Sequence, residues 1–541
     1  MSLVNQEVFN LKKILAAIAV ALILVAATGC NKENNPSDPV KIDHVVMYYT
    51  VGGGDLDESQ IEDILYTYDA MSDDDITNVA VSAFFKPSPS YYKDYPGILH
   101  FTTDVNRMSS LTASDIKKID FKTLKKVTDV TIMDNSDVAF NTSDYLAKCI
   151  GIMKKEYPDA ALYTLVVSNH GGAYNYIDEI WSDTEDTKAI GYGDESTAGD
   201  SYPPMGASTL LRGVEKGGVD FCTLVTDACI MATQENIAEY RKVFQYAMLS
   251  AEVTTGDIMQ HIVKNLAKTG DDISGLKSAY KDVVDVYVAA NEGESVTSFG
   301  FYDLSKAEAA EDLVAQFVQI AIDLSENVLG ENVLASAVND CLCNSIADDD
   351  EGIEKWQQIR ADLDNGNITK QTINDMIELE GESTSQFQVY DFLVKYCAAY
   401  ASAQEYVPAT LTKLEGLRDS YLKAVKDMAY INCTKSNTGY DDPYLHTSVS
   451  TNLYSLRKDA FVPWSYEHPL NGSAIVSSLI ADGDLPENYT EEELEYYRQA
   501  FINFASSSDF GKKTKWAELL QISQTNPSVF YNPSRSYGVK K

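Results

Sequence analysis

Basic side chains are the first shortage in this chain. Lys and Arg total 43 in 541 residues, against 81 Asp and Glu, for a net charge of −38. Nucleic-acid phosphates need the opposite sign, so nucleic acid is excluded as a partner. The acid excess suits a soluble surface and attracts basic peptides. Histidine is scarcer still, with six residues. His44, His100, His261, His446 and His468 fall at no metal-ligand spacing. The eight cysteines are too scattered for a disulfide framework. Cys341 and Cys343 stand too close for a usual zinc pair and lack a matching partner. Buried free thiols are therefore expected, with one disulfide left open among Cys341, Cys343, Cys397 and Cys433. No Lys-Ser/Thr follows Gly52-Gly53-Gly54, which excludes a P-loop. Asp364-Asn365-Gly366 hints at an EF-hand. The register fails, because Ala361 and Thr372 fall at the first and last ligand positions. There is no internal repeat. Beyond Ile14 to Ala26 no apolar run is long enough to consider as a membrane span, and that one is itself too short.

That run is read as an address. Lys12 and Lys13 precede it, and Ala27-Thr28-Gly29-Cys30 follows. Small residues directly before a cysteine resemble a bacterial lipobox, which implies cleavage before Cys30 and lipidation of its thiol. A plain signal peptide with an incidental cysteine is the alternative. Residues 31–39 are polar and Pro-containing, a short tether. The expected location is the cell envelope, anchored by lipid alone and facing periplasm or exterior.

Downstream, apolar β-rich runs alternate with helical patterns. Strands are expected over 43–50, 76–85, 98–103, 127–133, 162–167 and 219–225. Helices are expected over 59–70, from a Thr142 or Ser143 cap to Glu156, over 208–216, and from Met231 to Tyr240. Helices dominate after about 306, including 385–401, 409–430 and 491–505. This is an α/β sandwich with a mostly parallel sheet and a largely helical C-terminal region.

Two strand ends carry the chemistry. Ser168-Asn169-His170-Gly171-Gly172 follows one buried run and Thr226-Asp227-Ala228-Cys229-Ile230 the other. Catalytic groups collect at the carboxyl ends of parallel strands. A thiol beside an imidazole is a nucleophile with its base. The N–H groups of Gly171, Gly172 and Cys229 are candidate oxyanion donors. The expected helix at Met231 would lower the thiol pKa. Taken singly, Cys229 reads as a small buried hydrophobe and His170 as a packing residue. The pairing at one rim favours catalysis.

These motifs resemble the clostripain-like cysteine peptidases, relatives of caspases, gingipains and legumains. The matching residues are Asn169-His170-Gly171 and Asp227-Ala228-Cys229-Ile230-Met231, with Glu235, Leu249-Ser250-Ala251-Glu252, Tyr496-Tyr497 and the stretch Phe510 to Trp516. The resemblance implies a caspase-haemoglobinase-like α/β/α sandwich. It implies peptide-bond hydrolysis after Arg or Lys, with His170 as base and Cys229 as nucleophile. It also implies an acidic pocket lined by Asp227, with Asp257 a second candidate by loop position. A strand-end carboxylate satisfied by backbone N–H groups is the plainer reading of Asp227. Family members cut themselves between the His and the Cys. Lys188 is the only basic residue in the polar loop from Ala173 to Tyr202, and so the expected self-cleavage site. No cofactor is required, and calcium is an option because some members need it. The division is then 1–29 signal peptide, 30–41 tether, 42–270 catalytic domain and 271–541 accessory region. Two other readings stay open: a non-catalytic surface lipoprotein binding peptide or glycan on the same scaffold, and an acyltransferase using the same Cys-His pair.

Overall fold

The computed structural model of the chain describes residues 41–51, 56–72, 75–87, 97–103, 128–134, 138, 140–169, 171, 205–229, 231–251, 254, 256–291 and 298–326, parts of 329–341, then 386–433, 450–452 and parts of 503–525. The chain divides into residues 1–41 and 42–541, and every element named below belongs to the second unit.

The strands are β1 (His44–Thr50), β2 (Val79–Phe85), β3 (Ile98–Thr103), β4 (Asp129–Asp134), β5 (Leu162–Ser168), β6 (Thr223–Asp227), β7 (Tyr246–Ser250), β8 (Ser298–Asp303), β9 (Gln386–Gln388), β10 (Ala429–Cys433) and β11 (Ser450–Asn452). Nine of them form one sheet in the order β10-β8-β7-β6-β5-β1-β2-β3-β4, while β9 pairs with β11. The five central strands, β7 through β2, run parallel. Two antiparallel strands flank them at each side. The expected parallel sheet is thus the middle of a mixed one.

The helices are α1 (Asp57–Met71), α2 (Ser143–Glu156), α3 (Ala207–Gly217), α4 (Gln234–Tyr240), α5 (Ile258–Leu266), α6 (Ile273–Ala290), α7 (Ala307–Ser325), α8 (Val389–Ser402), α9 (Pro408–Met428), α10 (Asp509–Thr514) and α11 (Trp516–Thr525). Side chains alternate across a strand, and β1 shows the consequence. Val45, Met47 and Tyr49 join the core shared with α2, α3, α4 and α7. Val46 and Tyr48 join the core shared with α1, α5 and α6. Every residue of β1 and β2 is buried, and a fully buried Val or Leu contributes roughly 2 kcal/mol. The sequence of near-continuous apolar strands therefore dictates helices on both faces, an α/β/α sandwich.

Local signals set the helix ends. Thr142 caps α2 through its side chain, which accepts from the Tyr145 N–H. Gly218, in the left-handed region at φ 65°, ends α3 and turns the chain toward β6. Three elements depart from expectation. No element is expected over 273–290, yet α6 forms there, with Leu276, Tyr280, Val283, Val284, Tyr287 and Val288 repeating at helical spacing on its buried face. The helix expected to reach Tyr430 stops at Met428, and β10 then pairs antiparallel with β8. The helix expected from Met231 starts at Gln234, capped by the Thr233 side chain. The sheet runs on past residue 270 through β8 and β10. The helix expected over 491–505, the triple-glycine turn and the 364–368 stretch lie outside the described residues, apart from 503.

Candidate active site

The carboxyl ends of β1, β5 and β6 are stitched into one rim. The Val51 N–H donates to the Ser168 carbonyl at 3.1 Å, and the Asn169 N–H to the Asp227 carbonyl at 3.3 Å. The Asn169 side-chain amide also donates to the Val51 carbonyl. Gln60 on α1 donates to the Ser168 carbonyl at 3.2 Å.

Cys229 stands two residues beyond the end of β6, half-buried and in no disulfide. The Thr254 backbone N–H donates to its Sγ at 3.3 Å, and the Thr254 hydroxyl lies 3.7 Å away. An N–H aimed at sulfur favours the thiolate. This replaces the expected helix effect, since α4 begins only at Gln234. Thr233 is preferred as a cap, so the chain first makes a turn held by Ala232 N–H to the Ser250 carbonyl, 2.7 Å.

Gly171 lies directly on this turn. A Cβ there would overlap the Cys229 carbonyl oxygen and stand 2.7 Å from its backbone nitrogen. Only glycine permits that approach. The structure therefore brings the backbone of the Gly171 motif against the backbone of the Cys229 motif. Its flanking partner Asn169 is held to Asp227 as described above. His170, Gly172, Lys188 and Cys30 lie outside the described residues.

Asp227 is buried on the α1/α5 face of β6. Its Oδ2 accepts from Ser168 Oγ at 3.0 Å and faces Tyr48 Oη at 3.4 Å. Burial pushes its carboxyl up to about 6, although the Ser168 and Tyr48 hydroxyls pull it down. The Asp257 charge adds to the rise. Asp257 is exposed, and its own carboxyl is raised by partial desolvation. It holds a left-handed backbone at φ 65°, directly after Gly256 at φ 81°. Such a conformation in a non-glycine residue costs energy and clusters at functional positions. The expected acidic pair thus lies close enough for the charge of one to act on the other. The backbone-capped reading of Asp227 does not hold, since its partners are the side-chain hydroxyls of Ser168 and Tyr48.

Two residues escaped the sequence reading. Asp63 on α1 accepts from Tyr48 Oη at 2.7 Å, and Thr254 touches the sulfur. Asp63 had a signal: Gln60, Asp63 and Thr67 form a polar stripe at helical spacing on the buried face of α1. Cys222, expected inside a core strand, precedes β6 and is half-buried, with burial raising its thiol. Among the described residues no group of His, Cys, Asp and Glu is arranged to hold a metal ion. Among them no helix is long and apolar enough to cross a membrane.

Residues 110–522 match the model of the clostripain family, peptidase C11. The chain belongs to the clostripain family. It is thus a member of a family of cysteine peptidases, and polypeptides are the substrate class. The matched span contains Gly171, Asp227, Cys229 and Asp257; it leaves out Tyr48 and Asp63. Solved structures similar to the chain include a secreted C11 cysteine protease from Bacteroides thetaiotaomicron in complex with an irreversible peptide inhibitor. It is 14% identical, with 87% of this chain and 99% of that one covered, at a TM-score of 0.44. An inactive zymogen C11 protease from Parabacteroides distasonis is 12% identical, with 88% and 99% covered, at a TM-score of 0.45. None of the curated proteins compared with the chain matches it.

Proposed function

We propose that the chain is a lipid-anchored endopeptidase that cuts after Arg or Lys through Cys229 and His170. The observation that carries the reading is the contact of Gly171 with the Cys229 backbone, two residues from a buried carboxyl that feels the Asp257 charge. The residues on either side of position 170 support it: the Asn169 N–H is bonded to the Asp227 carbonyl, and Gly171 lies against the Cys229 backbone.

The steps follow. The Cys229 thiolate attacks the scissile carbonyl carbon, and the N–H groups of Gly171 and Cys229 hold the developing oxyanion. His170 accepts the thiol proton and passes it to the leaving amine. Water, deprotonated by the same imidazole, then hydrolyses the thioester and frees the sulfur. Asp227 and Asp257 supply the negative charge that a substrate ammonium or guanidinium pairs with. Residues 42–270 carry this machinery, and 271–541 buttress it. Cys30 carries the lipid that holds the enzyme at the envelope.

The test is a peptide library incubated with mature protein, its cleaved ends sequenced, with Cys229→Ala as control. Ends at Arg or Lys are expected; ends at Asp or Asn contradict the basic preference while leaving peptidase activity intact. Lys188 is the self-cleavage site on this reading. Mass spectrometry should find two fragments parted there, and an intact, active chain refutes it. The chemistry needs no cofactor. Turnover that EDTA removes and calcium restores would assign a calcium requirement instead.

A further inference from the structure

Tyr48, on β1, stands between two buried carboxyls. Its hydroxyl donates to Asp63 Oδ2 at 2.7 Å and lies 3.4 Å from Asp227 Oδ2. A phenol carries one proton, so it serves one carboxylate as donor and leaves the other without one from that side. Asp63 is 2% and Asp227 6% exposed. Among the described residues neither has a cation partner. The groups facing them are Tyr48 from β1, Ser168 from β5, Asp257 from the turn ahead of α5, and the Met259 N–H in the first turn of α5. Two ionised carboxylates this close, out of water and without a cation, repel strongly, and such pairs hold protons jointly.

We propose that Asp63 is a positioning residue: through the Tyr48 hydroxyl it shares one proton with Asp227 in the empty site, and an arriving cationic side chain drives that proton off. The pair goes from one negative charge to two as one positive charge binds, and the proton leaves to solvent. Recognition of a basic side chain then weakens as protons compete for the pair. The proposal rests on the reading of Asp227 as the carboxylate that meets that side chain. Tyr48 and Asp63 both precede residue 110, where the family match begins, so this support comes from outside the matched span.

Two measurements test it. In full-length Cys229→Ala protein near pH 6, infrared difference spectra should show a protonated-carboxyl band. Asp63→Asn and Asp227→Asn should each remove it, and together remove no more than either alone. Tyr48→Phe, which breaks the bridge by another route, should make the two losses additive. A band that survives Asp63→Asn, or losses that add in the parent, overturns the sharing. In the active enzyme, Asp63→Asn should lower KM for an Arg peptide below that pH by about tenfold, one unit of pKa, with the change in KM and not kcat. KM for the matching Ala peptide should stay put. Equal shifts for both peptides, or none, overturn the role in recognition. Shared-proton behaviour in an enzyme that shows no preference for Arg or Lys would instead fell the reading of the site, and the recognition half of this proposal with it.

Discussion

Glu311, on α7, and Asp227, at the end of β6, are both carboxyls taken out of water, yet only one is supplied with cations. The Glu311 side chain is fully buried, with Arg241 at 3.2 Å and Lys513 at 3.5 Å. Lys513 also reaches Asp312 at 2.8 Å and Glu308 at 3.3 Å. This cluster ties α10 to α7 and to the end of α4. Even so, burial outweighs both cations and leaves the Glu311 carboxyl above its ordinary value. At the rim, Asp227 and Asp63 face each other and Asp257 with no cation at all among the described residues. A buried carboxylate given its counter-ions is part of the framework. One left without them, at the carboxyl ends of parallel strands, is on the proposed reading a place prepared for a cation from outside.

The hardest way to break the rim is to remove its sulfur. Cys229→Ala should abolish turnover, a loss on the order of ten-thousandfold or more, while Cys222→Ala keeps it. Peptide hydrolysis by the two variants checks this. Asp227→Asn comes next. It should lower kcat/KM for Arg and Lys peptides by about a hundredfold or more, with peptides of neutral residues little changed. Glu311→Ala reverses the pattern. It strands Arg241 and Lys513 and should cost roughly 3 kcal/mol in denaturant unfolding, with substrate preference intact. Equal behaviour of the Asp227 and Glu311 variants in both assays would erase the contrast.

The smallest effect is a slope. The Asp227 carboxyl is raised to about 6 from 3.8, so the folded chain keeps a proton that the unfolded chain has released. Its contribution to stability is full below the lower value, falls as pH rises between the two, and is gone above the higher. Melting curves of the wild type and Asp227→Asn across that window should diverge. The wild type loses more stability on the way up, and a constant difference between the two contradicts the assignment.

Much of this architecture is local and was legible. The strands β1 and β5 announce themselves as near-continuous apolar runs, and Thr142 announces α2. Cys229 and Asp227 are legible from their motif and its place at the end of β6. The bond network beneath them is not. Tyr48 is one of two adjacent tyrosines on β1, and Asp63 sits in a helix far along the chain from residue 227. Only the sheet order that sets β1 beside β5, and β5 beside β6, brings them together.

The most direct measurement is covalent labelling with peptidyl ketone reagents that differ only in ending on Arg or Asp, followed by mass spectrometry of the modified peptide. The account predicts an adduct on Cys229 and none on Cys222, formed faster by the Arg reagent, with that advantage lost in Asp227→Asn. An unmodified Cys229, or an Asp reagent that reacts as fast as the Arg one, would contradict it.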